Sequence, residues 1–251
     1  MLSGSDQPCN SVRVLRYLGF LLGGLAGEQG QRWTGHGRLL THLNRPVSIG
    51  PMPAATPARD RLLDTASELF YDQGITATGV DAVVAAAGVS KPTLYAHFRS
   101  KSELVAAVLE RRHTRRTESL QAWVSARTDD PRQRLLAVFD WFADFYTEEG
   151  RRGCAFLNAA AETPDPGDPA RQVARRQKRW TQDFLAQLAR DAGLDDPERL
   201  GSQLLLLIDG ASSRMVVEGD SEMALEIAGQ ARRVAAVVLD AATSRLIVPV
   251  A

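Results

Sequence analysis

Between Ser90 and Lys101 the chain places Ser90, Lys91, Pro92, Thr93, Tyr95, His97 and Lys101 within twelve residues. On a helix turning about 100° per residue, Leu94 and Phe98 fall together on one side, and Pro92, Thr93 and Ala96 fall opposite them. Tyr95 and His97 take the flanks, where a long side chain with a hydrogen-bonding tip reaches outward. That division suits the major groove of DNA, where phosphate contacts position a helix and base-edge contacts specify the site. Thr93 offers a hydroxyl and a methyl, the latter able to touch a thymine methyl. Ser90 and Lys91 sit where the positive end of a helix dipole attracts phosphate. No Asp or Glu occurs from Ala82 to Ser102, whereas Lys91, Arg99 and Lys101 do. Singly, Tyr95 also reads as a half-buried packing residue, His97 as a solvated histidine and Lys101 as an ordinary helix-start lysine. It is their joint spacing in an acid-free window that points to DNA.

The elements that must position these side chains are helices. Thr56-Pro57 opens the first, with Leu62, Leu63, Ala66, Leu69 and Phe70 as its apolar stripe and Gly74 as its stop. Thr78 is expected to cap a second helix that Gly88 closes, and Ser90 to cap a short third helix through Phe98. Two short helices joined by a glycine-containing turn form a helix-turn-helix. Ser100 and Glu103 make a capping box for a long fourth helix running to about Val124. Asp130-Pro131, Asp168-Pro169 and Asp196-Pro197 each supply an N-cap carboxylate and a proline at the first helical position. A shorter helix is expected near Cys154 to Glu162. Gly219 should end the helix from Pro197, and Ser221 should cap a last helix to about Ala242. The expectation is an all-α chain of about nine helices with no convincing strand.

The stretch from Leu63 through Gly74, then Thr78 through Phe98 and Lys101 to Leu104, resembles the N-terminal domain of the tetracycline-repressor (TetR) family. About a quarter of the chain carries the likeness. It implies a homodimer in which each recognition helix enters a major groove and a C-terminal helical domain binds a small ligand. By the same resemblance Thr78, Ser90, Lys91, Thr93, Tyr95, His97 and Lys101 take DNA-facing roles. Pro92 departs from the family, which often has glycine there, and that touches base preference alone. The function implied is a ligand-responsive repressor that binds a palindromic operator as a dimer and is released by a small molecule. No cofactor is expected.

The second half is rich in aromatics. Trp141, Phe142, Phe145, Phe156, Trp180 and Phe184, with Asn158, are the expected ligand-pocket residues, and Asp140 and Gln182 are further polar candidates. The plain alternative is that an aromatic stripe is core. Cys154 reads either as a redox switch or as a small buried hydrophobe. The apolar run Leu204 to Ile208 and the stripe Ala224, Ala228, Ala231, Val234, Ala235 and Val238 suit a dimeric four-helix bundle. Two-fold symmetry doubles the base contacts that one short helix makes.

The remaining features bound the answer. Lys+Arg and Asp+Glu are both 30, so the net charge is zero and any DNA surface must be local. Cys9 and Cys154 are far apart, which argues against a disulfide and for a reducing, cytoplasmic setting. The glycine-interrupted run from Tyr17 to Gly27 resembles a secretory signal but lacks an A-x-A cleavage pattern, and it is too short to span a membrane. Residues 1–56 are expected to be a disordered or non-native extension, with the functional chain starting near Met52. The DNA-binding domain is expected over residues 57–117 and the ligand-binding and dimerisation domain over 118–245. G-x-S-x-G, the P-loop, H-E-x-x-H and paired C-x-x-C are all missing, so the enzyme reading finds no support.

Overall fold

The computed structural model describes residues 57–148, 152–218 and 221–243. The expectations for the N-terminal extension, for Cys9 and for Gly219 as a helix stop lie outside these residues. Among them there are nine helices and no strand.

The first helix, α1 (Ala58–Gln73), begins one residue later than the sequence suggests, because Pro57 is the N-cap and not the first helical position. Its buried stripe is Leu62, Leu63, Ala66 and Phe70, and Gly74, at φ 93°, stops it by donating its N–H to the Phe70 carbonyl. Helix α2 (Val80–Ala87) is capped by Gly79, not Thr78. Thr78 belongs to the preceding turn, where its backbone N–H and its hydroxyl both donate to the Gly74 carbonyl, the latter at 2.7 Å. Gly88 closes α2 in the left-handed region at φ 62°, which a residue without a Cβ adopts at no steric cost. Helix α3 (Lys91–His97) follows, capped by Ser90.

The long α4 (Lys101–Arg127) starts at the expected cap, the Ser100 hydroxyl accepting from Glu103 N–H at 3.1 Å. The return bond differs by one residue, since the Glu103 carboxylate accepts from Arg99 N–H at 2.8 Å. Then come α5 (Pro131–Glu148), α6 (Ala155–Glu162), α7 (Pro169–Asp191), α8 (Pro197–Glu218) and α9 (Ser221–Thr243). All three Asp-Pro pairs mark helix starts. Asp130 accepts from Arg132 N–H, Asp168 from Ala170 N–H and Asp196 from Arg199 N–H.

Two apolar cores result. The first joins α1 to α3 and the start of α4, and it recruits Phe156 and Ala159 of α6 with Val173 and Ala174 of α7. The second joins α5, α7, α8 and α9 to the last turns of α4 through Leu120 and Val124. Helix α4 is therefore common to both and runs unbroken through residues 117 and 118. Helices α7 and α8 approach closely where Gly201 faces α7; a Cβ there would lie 2.7 Å from the Gln182 carbonyl.

The expected last-helix stripe divides by face. Ala224, Ala228 and Ala235 are buried in the protomer's own core, while Leu225, Val234 and Val237 are exposed. The run Leu204 to Ile208 divides likewise, with Leu204 and Ile208 inward and Leu206 outward at 69% exposure.

Candidate nucleic-acid interface and effector region

The short helix α3 is fixed from beneath. Leu94 is fully buried and Phe98 nearly so, and the Arg59 guanidinium lies 5.6 Å from the centre of the Phe98 ring. With that side anchored, Lys91, Pro92, Tyr95 and His97 are exposed, and Thr93 is half-buried. Ser90 holds the helix start, its hydroxyl accepting from Thr93 N–H at 3.2 Å and meeting the Thr93 hydroxyl at 2.7 Å. Lys101, one turn beyond, is half-buried at the first position of α4. The outward row expected from the sequence thus exists.

Two of its members stand differently from expectation. Thr78 is 1% exposed, with its hydroxyl engaged by the Leu69 and Gly74 carbonyls. Its side chain is therefore a clamp between α1 and α2 and presents nothing to solvent. Lys91 is exposed but paired, its ammonium 2.9 Å from the Asp81 carboxylate. That hydrogen bond raises the lysine's pKa. Asp81 lies one residue outside the acid-free window, and a one-dimensional reading has no way to see that the turn folds it back.

In the second half, the expected pocket residues form two aromatic groups. Trp141 and Phe145 stack at 5.5 Å between ring centres, with Phe142 edge-on to Trp141. Trp180 and Phe184 stack at 5.2 Å. His113 meets both Trp180 and Phe156 edge-on, at 5.9 and 6.4 Å. Trp141, Phe142 and Phe156 are buried, so these rings are also structural core. Asn158 stands apart from both groups. It lines a small, partly open cleft between α1, α4 and α6, with Tyr71, Arg112, Arg152 and Glu162. Asp140 is tied to Arg232 at 2.7 Å.

Sequence reasoning missed the polar side chains among these rings. The Arg116 guanidinium lies 4.1 Å from the Phe145 ring centre, 5.2 Å from Phe142 and 5.4 Å from Trp141. Gln177 and Thr181 are buried and bonded to each other at 2.9 Å. Tyr146 is buried against the Ser212 hydroxyl, and burial pushes its phenol pKa up. A signal did exist. His113 and Arg116 occupy the turns of α4 where the stripe Val105, Leu109, Leu120 would otherwise continue.

Cys154 is buried and caps α6. Burial pushes its thiol pKa up, but Lys178, with Nζ 3.5 Å from the sulfur, Arg116 and the Leu157 and Phe156 backbone amides outweigh it, so the thiol sits below its ordinary value. Next to Cys154 a strap joins the two halves. The Tyr71 hydroxyl accepts from Arg152 N–H at 3.0 Å, and the Arg152 guanidinium donates to the Tyr71 and Asp72 carbonyls at 2.7 Å each. No group of metal-ligating side chains occurs among the described residues, and no described helix is long and apolar enough to cross a membrane.

A helix-turn-helix with a solvent-facing row on its second helix, mounted on a larger helical body, is the architecture of a DNA-binding regulator. Family models agree in both halves: "Bacterial regulatory proteins, tetR family" matches residues 62–108 and "Tetracyclin repressor-like, C-terminal domain" matches residues 131–231. The chain is 31% identical over 183 residues to the HTH-type transcriptional repressor ComR of Escherichia coli K12, covering 70% of this chain and 87% of ComR. It is 37% identical over 137 residues to the HTH-type transcriptional activator FasR of Mycolicibacterium smegmatis, a match spanning 55% of this chain and 61% of FasR. A crystal structure of a TetR-type regulator from Streptomyces avermitilis superposes with TM-score 0.62 at 34% identity, covering 75% of this chain and 99% of that one. The chain belongs to the TetR family and is a transcriptional regulator, not an enzyme.

Proposed function

We propose that this protein is a ligand-responsive repressor that binds a palindromic operator as a homodimer and is released by a small molecule. The observation that carries this reading is the exposed row Lys91, Pro92, Tyr95 and His97 over the buried pair Leu94 and Phe98. In this reading Thr93 and Pro92 meet base edges, and Ser90, Lys91, Tyr95, His97 and Lys101 meet the phosphate backbone. Lys91 reaches phosphate by leaving Asp81.

Dimerisation is assigned to the outward faces of α8 and α9. Leu206, Val217, Leu225 and Val237 are each more than half exposed there, and solvent-facing apolar side chains clustered on two neighbouring helices mark an interaction surface. Gly210, one turn from Leu206, has open space beside it that permits close approach. Residues 57–117 then serve as the DNA-binding part and 118–245 as the effector and dimer part, with α4 linking them. The protein acts where the chromosome is, in the cytoplasm. The likeness to the repressor ComR favours repression, since that match spans most of both chains.

Release requires that the effector bind better to the state whose recognition helices no longer match successive major grooves. The test of the whole reading is binding to the DNA upstream of its own gene across a salt series. A repressor of this kind binds there site-specifically, with an affinity that falls steeply as salt rises. Equal binding to that DNA and to a scrambled duplex would refute it.

A further inference from the structure

Three buried polar atoms on α4 and α7 have no hydrogen-bond partner: Arg116 Nη1, His113 Nδ1 and Gln177 Oε1. Native interiors pair nearly all such atoms, so three on two facing helices need a reason. The helices run parallel, since Ser102 bonds Asp168, Glu110 bonds Arg176 and His113 meets Trp180. That register sets Gln177 at the level of Glu110 to His113, within about two turns of Arg116.

The charge is equally unbalanced. Lys178, the neighbouring interior cation, is neutralised by Asp209 at 2.5 Å. Arg116 has no carboxylate partner among the described residues and lies over the Phe145, Phe142 and Trp141 rings. Removing a cation from water without an anion is costly, and ring faces offset part of that cost. Burial holds His113 below its ordinary pKa, so at neutral pH its ring adds no second charge but keeps an acceptor nitrogen.

Resting on the ligand-responsive reading above, we infer that the effector is a planar aromatic carboxylate whose ring or substituent carries one N–H or O–H donor. Its carboxylate pairs with the Arg116 guanidinium, and its flat body takes the Trp141 and Phe145 ring faces that the guanidinium now covers. Its donor satisfies Gln177 Oε1 or His113 Nδ1. Binding is thus an exchange in which Arg116 leaves the rings for the carboxylate. Arg116 stands on α4, whose first turns, Leu104 to Leu109, belong to the DNA-binding core. A shift at Arg116 therefore acts on a helix shared by both cores.

The test uses the full chain and matched pairs of probes: indole-3-acetate with indole-3-acetamide, and 2-naphthoate with 2-naphthamide. Affinity is read by calorimetry, and release by displacement from the upstream DNA. At least one acid is expected to bind about tenfold or more tighter than its amide, as a charge-assisted bond requires, and to release the DNA. Indole-3-acetate, which carries the donor, is expected to bind more tightly than 2-naphthoate. Arg116→Gln should bring the acid-to-amide ratio to about one. Where that variant melts too low to titrate, Arg116→Lys decides; it should keep the acid preference with severalfold weaker binding, and unchanged affinity would overturn the role of Arg116. Amides binding as tightly as acids overturns the anionic class while leaving a ligand-responsive regulator standing. Binding of neither acid, with site-specific DNA binding intact, overturns the inference alone. Loss of site-specific DNA binding in the unliganded protein removes the reading beneath it.

Discussion

The Tyr71 hydroxyl, at the end of the first helix, donates to the Gly153 carbonyl at 3.1 Å across 82 residues of sequence. With Arg152 N–H donating to the same oxygen, this phenol ties α1 to the loop before α6. Burial raises its pKa, so it stays protonated and able to donate at physiological pH.

Tyr71→Phe keeps the ring under Arg112 but leaves the Gly153 carbonyl and the Arg152 amide without their partner. An unsatisfied buried group of this kind costs about 1–3 kcal/mol. Urea denaturation should show that loss in the midpoint with an unchanged slope.

Gly153 and Gly88 both adopt positive φ, 68° and 62°, but only Gly153 is crowded. A Cβ on Gly153 would lie 2.5 Å from the Ser212 carbonyl, whereas one on Gly88 meets nothing within 4 Å. Gly88→Ala should cost about 1–2 kcal/mol, the left-handed penalty alone. Gly153→Ala should cost clearly more and loosen α6 from α8. Thermal melts of the two variants side by side read the difference, and equal losses would show that Ser212 yields.

Asp81 competes with phosphate for Lys91. Asp81→Asn should therefore tighten binding to any duplex, and Lys91→Ala should weaken it and lower the salt slope by about 1. Anisotropy titrations on specific and scrambled DNA report both.

His113 gives a pH signature. Its folded pKa is lowered by burial, so below the unfolded value of about 6.5 the unfolded chain binds more protons than the folded one. Stability is fully present above that value and falls as pH drops through it, until the folded imidazole also protonates. His113→Gln should remove this part of the pH slope. An unchanged slope would place the imidazole in water.

Much of this was legible because it is local chemistry. Asp-Pro pairs cap helices through atoms two or three residues away, and the Leu94 and Phe98 spacing puts one side of a short helix inside. What escaped depends on distant partners. Thr78 looked like a cap, yet its hydroxyl found the nearer Gly74 carbonyl. Lys91 looked free until the turn folded Asp81 against it. The segment Glu110 to Thr117 is so polar that it resembles a solvated face, and only the approach of α5 and α7 turns His113 and Arg116 inward. The alanines of α9 looked like an interface because small residues permit close packing, and the close packing they serve is within the protomer.

The central claim, that α3 reads DNA and its flanks hold it, is tested most directly by comparing Thr93→Ala with Lys101→Ala on upstream and scrambled duplexes. Thr93→Ala is expected to cost about 1–3 kcal/mol on the specific duplex and nearly nothing on the scrambled one, whereas Lys101→Ala weakens both alike. Equal losses on the two duplexes for Thr93→Ala would contradict it.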